Sequence, residues 1–256
     1  MQCGFVWPVK GRNVDRTRQP CLVRGVSYSV ENFGSREALD RGLCARVEAI
    51  LQAAIDERGS AFCVVSGGST PLGFFRQLST AKLDFSKVTF GLVDERWVSP
   101  DHDDSNERAV RSHLLQGAAS SAEFVPLFGG GPDAAADAAA ADQTFKTLPT
   151  FDVVLLGLGL DAHTASLFPG AVGLQAALEP GGCSAVAALQ PPAAPHTRLT
   201  LTVARLINTR HLFVQATSAE KLEVLSAAAA SEDALSMPIS WFLNQQLVPL
   251  QVFWAP

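Results

Sequence analysis

The sequence predicts an α/β fold in which helices cover both faces of a mostly parallel, doubly wound sheet. Short apolar runs such as Ala61–Val65 and Phe151–Leu156 have the length and β-branched content of strands that are buried on both faces. Residues 35–58 instead carry apolar side chains every three or four positions, as an amphipathic helix requires, and Gly59 follows as a stop. This alternation of strands and helices is typical of parallel sheets with right-handed crossovers.

Composition limits the classes of function. The chain has 256 residues, of which 47% are hydrophobic, so it can bury a substantial core. We find no linker and predict one domain over residues 21–256, preceded by a polar, basic and loosely ordered segment, residues 1–20. The net charge of −5 gives no footprint for nucleic acid or for an anionic membrane. An anionic substrate must therefore meet a local cluster of positive groups.

The five cysteines are odd in number and have no Cys-x-x-Cys spacing. This pattern fits a reducing compartment, and neither a disulfide framework nor a zinc site. No apolar stretch follows the basic residues near the N-terminus, and no run approaches 18 apolar residues. We therefore expect a cytoplasmic protein without a membrane partner, and the sequence carries no signal for an oligomeric state.

The remaining elements follow from local chemistry. Apolar or alternating runs predict further strands at residues 22–30, 88–93, 124–128, 183–189, 199–203, 211–215 and 250–254. Capping residues and periodicity predict helices that begin near Ser105, Pro132, Ser218 and Ser240. The second of these, residues 132–147, is rich in alanine, which is the best helix former.

The most informative stretch is 151–170, FDVVLLGLGLDAHTASLFPG. Glycines end its buried strand just before Asp161 and His163. In open α/β sheets ligands bind beyond the carboxyl ends of the strands, so these two side chains lie where chemistry is expected. A lone loop histidine is more often structural, and His163 gains its weight from the motifs around it.

A second strand runs directly into SGGSTP, residues 66–71. Thr70 is a good N-cap, Pro71 suits the first helical position, and the glycines allow close approach of a ligand. Free N–H groups at such a helix start attract anions. An ordinary strand-to-helix turn is the alternative, because the spacing matches neither the P-loop nor Gly-x-Gly-x-x-Gly.

Two charged residues occupy unusual places. Ser218 as an N-cap places Lys221 in the first turn of a helix, where a cation is unfavourable by about 0.3–1 kcal/mol. A bound anion would remove this conflict, although an exposed lysine is the simpler explanation. Arg96 belongs to a charged triplet after the strand at 88–93, which marks either the rim of a site or a solvated turn.

The loop that follows contains Asp101, His102, Asp103 and Asp104. These side chains could be imagined as metal ligands. Adjacent residues in one loop rarely converge on a single ion, so we predict no metal site here.

Together, SGGSTP, DERWV followed by DSN, LLGLGLDAHTASLFPG, TRLTLT and a late lysine resemble the 6-phosphogluconolactonase family. The similarity runs from about Phe33 to Trp254, and HTASLFP is its most specific part. It implies hydrolysis of 6-phospho-D-glucono-1,5-lactone in the oxidative pentose phosphate pathway without a metal or organic cofactor. It also implies a three-layer, Rossmann-like fold shared with glucosamine-6-phosphate deaminases and ribose-5-phosphate isomerases.

Roles for individual residues follow from the resemblance and from the chemistry of a lactone. His163 is the expected general base for a water molecule, and Asp161 would orient its imidazole. Arg96 and the loop N–H groups at 157–162 are candidates for contacts to the oxyanion or the ring. The expected phosphate-binding residues are Gly67, Gly68, Ser69, Thr70, Arg198 and Lys221. Acyl-enzyme chemistry through Ser166 is not favoured, because no Gly-x-Ser-x-Gly elbow surrounds it.

Two departures from the family pattern leave alternatives open. Ala162 stands where the family has glycine, and a left-handed backbone there would cost about 1–2 kcal/mol. The final segment, LQVFWAP, also lacks an expected acidic residue. Alternatives are a sugar-phosphate isomerase or deaminase, against which HTASLFP argues, and a catalytically impaired sugar-phosphate binding protein, which only Ala162 suggests.

Overall fold

A seven-stranded parallel sheet forms the centre of the protein, as the sequence predicts. The computed structural model describes residues 28–256, so the predicted segment 1–20 and the start of the predicted strand 22–30 lie outside the described residues. The ten strands within residues 28–256 are β1 (Tyr28–Asn32), β2 (Ala61–Val65), β3 (Val88–Leu92), β4 (Asp94–Arg96), β5 (Glu123–Val125), β6 (Phe151–Leu156), β7 (Val186–Leu189), β8 (Arg198–Leu201), β9 (Thr209–Thr217) and β10 (Leu250–Ala255). The sheet order is β1-β10-β9-β6-β2-β3-β5.

Helices surround this sheet. They are α1 (Arg36–Arg58), α2 (Leu72–Leu78), α3 (Asn106–His113), α4 (Ala134–Thr147), α5 (Leu174–Ala177), α6 (Val203–Leu206), α7 (Ala219–Ala229) and α8 (Ile239–Asn244). Helix α1 packs against β2, β6 and β10, and α7 packs against β9. Every residue of β2 and β6 is buried, which explains why both strands are predominantly apolar. The one charged residue in them, Asp152 of β6, accepts from the Phe62 N–H at 2.9 Å. None of the helices in the described part of the chain has the length and apolar character needed to cross a membrane.

A second, antiparallel sheet of three strands, in the order β4-β8-β7, was not predicted as a separate unit. The triplet that begins at Asp94 is not a solvated turn, because it forms β4 and pairs with β8. Its register places Arg96 directly opposite Arg198. A strand of three residues is too short to show a period in the sequence, which explains why this sheet was missed.

Most helix starts agree with the prediction, and two do not. Ser35 and Ser105 cap α1 and α3 through their hydroxyl oxygens. The prediction that Thr70 caps α2 is wrong, because Pro71 is the capping residue and has a helical backbone. The prediction that Pro132 opens α4 is also wrong. Asp133 caps that helix, because its side chain accepts a hydrogen bond from the Ala136 N–H. Proline has no side-chain acceptor and cannot cap in this way.

Arg205 anchors the chain that leads into β6. Its guanidinium is buried and donates to the carbonyl oxygens of Phe145 and Pro149 at 3.0 and 2.7 Å, and to that of Leu148 at 3.3 Å. It also lies 3.6 Å from the centre of the Phe151 ring. Burial lowers the pKa of Arg205 to about 10. One side chain thus binds the carbonyl groups at the end of α4 and packs on the first residue of β6.

We expect Arg205→Met to lower the free energy of unfolding by about 3 kcal/mol, because it leaves several buried carbonyl groups without a donor. Arg210→Met is the matched control. Arg210 is half-exposed and pairs with Asp152 at 3.4 Å, so its loss should cost less than about 1 kcal/mol. Urea unfolding of both variants measures the difference, and equal losses would contradict the anchoring role of Arg205.

Candidate active site

A cavity of about 200 Å³ opens beyond the carboxyl ends of β2 and β6. Its wall combines the loop after β2, the loop after β6, and side chains from β4, α3 and β9. The residues that line it are Ser66, Gly67, Gly68, Ser69, Thr70, Pro71, Asp94, Arg96, Asn106, Leu155, Leu156, Gly157, Leu158, Gly159, His163, Ala165 and Gln215. Six of the nine predicted site residues are on this wall. Asp161, Arg198 and Lys221 are not.

The loop after β6 folds Asp161 back onto His163. The Gly159 N–H donates to the carbonyl oxygen of His163 at 2.9 Å, which closes the turn. Asp161 Oδ1 accepts from the His163 N–H at 3.2 Å and also contacts the ring nitrogen Nδ1. A Cβ on Gly159 would lie 2.1 Å from His163 Nδ1. Glycine is therefore required at 159 for the imidazole to take this position.

Ala162 adopts the left-handed conformation, with φ of 63°, and its side chain is buried. The position thus requires the backbone for which the family glycine is suited. Two hydrogen bonds hold it there. The Ala162 N–H donates to the carbonyl oxygen of Gly159 at 3.1 Å, and the Ala162 carbonyl oxygen accepts from the Ile239 N–H at 3.0 Å. Alanine at 162 therefore allows the same turn, with the backbone strain of a left-handed conformation.

The Asp161 contact determines how His163 can act. Partial burial raises the pKa of the Asp161 carboxyl, but its hydrogen bond to His163 and the charge of that ring outweigh burial and keep the pKa below its usual range. A carboxylate on Nδ1 favours the neutral tautomer that carries its proton there, so Nε2 holds the free lone pair. The ring of Phe168 stacks on the imidazole with a centroid distance of 4.0 Å. Sequence analysis did not single out Phe168.

The glycine loop faces this imidazole across the cavity. A Cβ on Gly67 would lie 2.1 Å from Asn106 Oδ1, so glycine lets α3 approach the loop. Ser66 Oγ accepts from the Gly157 N–H at 2.8 Å and joins the two loops. Within the described residues, the four N–H groups of residues 67–70 donate to no protein acceptor. They are free to bind an anion.

A cation that sequence analysis missed supports this loop. Arg36 Nη2 donates to the carbonyl oxygens of Ser69 and Thr70, at 2.5 and 3.0 Å. Burial, together with the charge of the nearby Arg36, lowers the pKa of Lys221. Lys221 forms no ion pair with any described residue. The signal that singled out Lys221, a cation in the first turn of a helix, also applies to Arg36, the first residue of α1.

Two arginines lie side by side where β4 pairs with β8. Arg96 Nη1 donates to the carbonyl oxygen of Asp104 at 2.5 Å. Arg198 is only 5% exposed, and its Nε and Nη1 have no hydrogen-bond partner. Burial and the charge of Arg96 lower the pKa of Arg198. A buried guanidinium without a bonded acceptor is costly, so an anion at this point would stabilise it. Its carbon Cζ lies 5.7 Å from the ring centre of Phe168.

Ser166 is occupied elsewhere. Its hydroxyl donates to Asp94 Oδ2 at 2.5 Å, and both residues are buried. Asn106 Nδ2 donates to the carbonyl oxygen of Asp94 at 2.9 Å. This geometry pairs the serine with a carboxylate of the second sheet instead of with His163. It agrees with the expectation that Ser166 is not a nucleophile.

Three of the six loop N–H groups at 157–162 are used within the protein. Those of Gly157, Gly159 and Ala162 donate to Ser66, His163 and Gly159, respectively. Leu158 lines the cavity, and its N–H has no acceptor among the described residues. Leu160 and Asp161 do not line the cavity, so Leu158 and Arg96 remain as donors that can face the reacting group.

Comparison with known proteins agrees with this architecture. Residues 34–254 match the family model described as glucosamine-6-phosphate isomerases/6-phosphogluconolactonase. A 6-phosphogluconolactonase from Rhizobium meliloti is 44% identical over 90% of this chain and all of its own length. One from Pseudomonas aeruginosa is 42% identical over 92% of this chain and 97% of its own.

Solved structures show the same relationship. The crystal structure of a 6-phosphogluconolactonase from Shewanella baltica superposes with a TM-score of 0.86 at 42% identity, covering 89% of this chain and 97% of that one. A monomeric glucosamine-6-phosphate deaminase, 20% identical with a TM-score of 0.72 over 87% of this chain and 96% of its own, shares the fold. The chain belongs to the glucosamine-6-phosphate isomerase/6-phosphogluconolactonase family.

Proposed function

We propose that this protein is a 6-phosphogluconolactonase, which hydrolyses 6-phospho-D-glucono-1,5-lactone to 6-phosphogluconate in the cytoplasm. The supporting relatives carry that name at 37–44% identity over most of the chain. The observation that carries the proposal is the position of His163, with Asp161 on its Nδ1, across one cavity from a loop with free N–H groups. One end of the cavity suits a base, and the other suits a phosphate.

In the proposed mechanism His163 Nε2 removes a proton from a water molecule as that water attacks the lactone carbonyl. A neutral imidazole suits general-base work near neutral pH. The Asp161 carboxylate holds the tautomer and stabilises the imidazolium that forms. The imidazolium then donates this proton to the ring oxygen of the lactone as the bond between that oxygen and the carbonyl carbon breaks, which opens the lactone. Phe168, which stacks on the imidazole, restricts the rotation of that ring.

Negative charge develops on the carbonyl oxygen during the attack. The guanidinium of Arg96 and the N–H of Leu158 both border the cavity and are the donors we assign to this oxyanion. Donors held in place before the reaction stabilise such a charge without reorganisation. Arg96 is fixed by β4 and by its hydrogen bond to Asp104.

We assign the phosphate to the N–H groups of Gly67, Gly68, Ser69 and Thr70, with Arg198 and Lys221 as its counter-charges. Lys221 and Arg36 repel one another, and Arg198 lies beside Arg96, so a dianion would relieve two unfavourable arrangements. Charge-assisted hydrogen bonds would hold it. Because the phosphate does not react, its binding energy orients the lactone over His163.

A coupled assay tests the proposed activity. Glucose-6-phosphate dehydrogenase generates the lactone in situ, and the loss of lactone is followed against its spontaneous hydrolysis. The purified protein should accelerate hydrolysis, and the absence of any acceleration would refute the lactonase proposal. Ammonia release from glucosamine 6-phosphate should stay at background, which separates the lactonase from a deaminase.

We expect His163→Ala to lower the turnover number at least about 100-fold, because the water loses its base. Affinity for 6-phosphogluconate should stay close to that of the unchanged protein, since the phosphate contacts remain. Calorimetry and the coupled assay measure the two quantities. A parallel loss of both would assign His163 to substrate binding instead.

Lys221→Ala should weaken binding of 6-phosphogluconate about tenfold or more, because one charge-assisted contact to the phosphate is lost. The control is Lys146→Ala. Lys146 is an exposed lysine that pairs with Asp142 on α4 and has no contact with the cavity. Unchanged affinity in the Lys221 variant would remove it from the phosphate site.

Ala162→Gly tests the idea of an impaired enzyme. Since alanine already adopts the left-handed turn, we expect the turnover number to change less than about threefold. The relief of strain is offset by the flexibility of glycine and by the loss of a buried methyl group, so stability should change by less than about 1 kcal/mol. A rise in turnover of an order of magnitude would instead show that Ala162 impairs the catalytic turn.

A further inference from the structure

Three potential metal ligands meet beside the active site, where two loops approach one another. The sequence predicted no metal site in the loop at 101–104, because that prediction considered only neighbouring residues and not a ligand from a second loop. His102 and Asp104 lie in the loop between β4 and α3, and His196 lies in the loop between β7 and β8. Their ligand atoms all lie within 4.8 Å of one another. His196 Nε2 is 3.0 Å from Asp104 Oδ2, and His102 Nδ1 is 3.9 Å from the same oxygen.

These distances suit a small divalent ion. Two imidazole nitrogens and one carboxylate oxygen are ligands typical of zinc, which binds each at about 2.0–2.2 Å in a tetrahedron. Ligand atoms around such an ion are therefore about 3.3 Å apart. The observed 3.0 and 3.9 Å lie on either side of this value, so small side-chain rotations would complete the geometry. A water molecule can supply the fourth ligand.

The ring nitrogens nearest to Asp104 are hydrogen-bonded within this cluster. His102 Nδ1 accepts from the Asp104 N–H at 3.1 Å, so its lone pair is available to an ion only in place of this hydrogen bond. His196 Nε2 lies 3.0 Å from Asp104 Oδ2 and must be unprotonated to bind an ion. The two imidazole rings lie edge to face at 5.4 Å. His102 and Asp104 are exposed and His196 is partly buried, so an ion can enter from solvent.

Some neighbouring charges favour the binding of a cation here, and others oppose it. Asp101 and Asp103 share the turn with the ligands and favour a cation, although Asp103 already pairs with Arg108. The guanidinium groups of Arg96 and Arg198 are close enough to interact with Asp104, and they oppose a cation. We therefore expect weaker binding than in a closed structural zinc site, which has four protein ligands.

We propose that His102, Asp104 and His196 form a binding site for a divalent transition-metal ion of the zinc type. The ion would join the loop after β4 to the loop before β8, and so connect the segments next to Arg96 and Arg198. It would act on the position of these loops and takes no part in the proposed hydrolysis. The inference does not depend on the lactonase activity.

Zinc titration of the metal-free full-length protein tests the site. Calorimetry should show saturable binding of one ion per chain, and cobalt should give the visible absorption bands of a tetrahedral complex. The melting temperature should rise with zinc concentration, because the ion binds the folded state. The absence of saturable binding of either ion would overturn the proposal.

Variants locate the ion. His196 has a left-handed backbone with φ of 66°, which asparagine tolerates, so His196→Asn removes the imidazole with little strain. His196→Asn and His102→Gln should each weaken zinc binding at least about tenfold. His211→Gln, near the amino end of β9 and thus at the opposite edge of the sheet, is the control and should bind like the unchanged protein.

The active-site pair is the competing location, since His163 and Asp161 could also bind zinc. A His163→Asn variant that retains wild-type affinity supports the proposed site. If zinc binding is lost in His163→Asn and kept in His196→Asn, the ion belongs to the catalytic pair and the proposal is wrong. Melting temperatures without metal show whether each variant is folded.

Discussion

The turn that folds Asp161 back onto His163 is the constraint on which the site depends. It requires a residue without a side chain at 159, because a Cβ there would occupy the space of the imidazole nitrogen. It also requires a left-handed backbone at 162, which alanine adopts at a cost. The surroundings supply the compensation. Thr164 Oγ1 donates to the carbonyl oxygen of Gly157 at 2.8 Å, and α8 donates its first N–H to Ala162.

Around this turn the protein concentrates positive charge that its own carboxylates do not fully neutralise. The chain as a whole carries a net charge of −5, yet Arg36, which donates to the glycine loop, is close enough to interact with Lys221. Arg96 lies opposite Arg198 where β4 pairs with β8. Such pairs lower the stability of the free protein. They become favourable when a dianion binds. The arrangement therefore lowers the free energy of unfolding of the free protein and raises its affinity for a dianion.

The sequence predicted those parts whose signal is local. Strands β2 and β6 are buried on both faces and therefore read as apolar runs, and Ser35 and Ser105 cap helices by short-range hydrogen bonds. The second sheet was missed because pairing of short strands distant in sequence leaves no periodic trace. The stack of Phe168 on His163 depends on the turn between them, which no spacing rule specifies. Arg36 is different, since the dipole argument made for Lys221 would have found it.

The second sheet explains how a site built from two loops can be rigid. Arg96 and Arg198 are on paired strands, and not on loops, so their separation is fixed by the register of β4 and β8. This sheet is tied to the main one by the hydrogen bond of the Leu201 N–H to the Val93 carbonyl oxygen, at 2.8 Å, and by the buried contact of Ser166 with Asp94. Ser166 belongs to the same loop as His163. The distance from the imidazole to the two arginines is therefore set by a buried polar contact and a strand pairing, and groups held on strands keep their positions better than groups on loops. Through its hydrogen bond to Asp94, the buried Ser166 thus links the loop that carries His163 to the strand that carries Arg96.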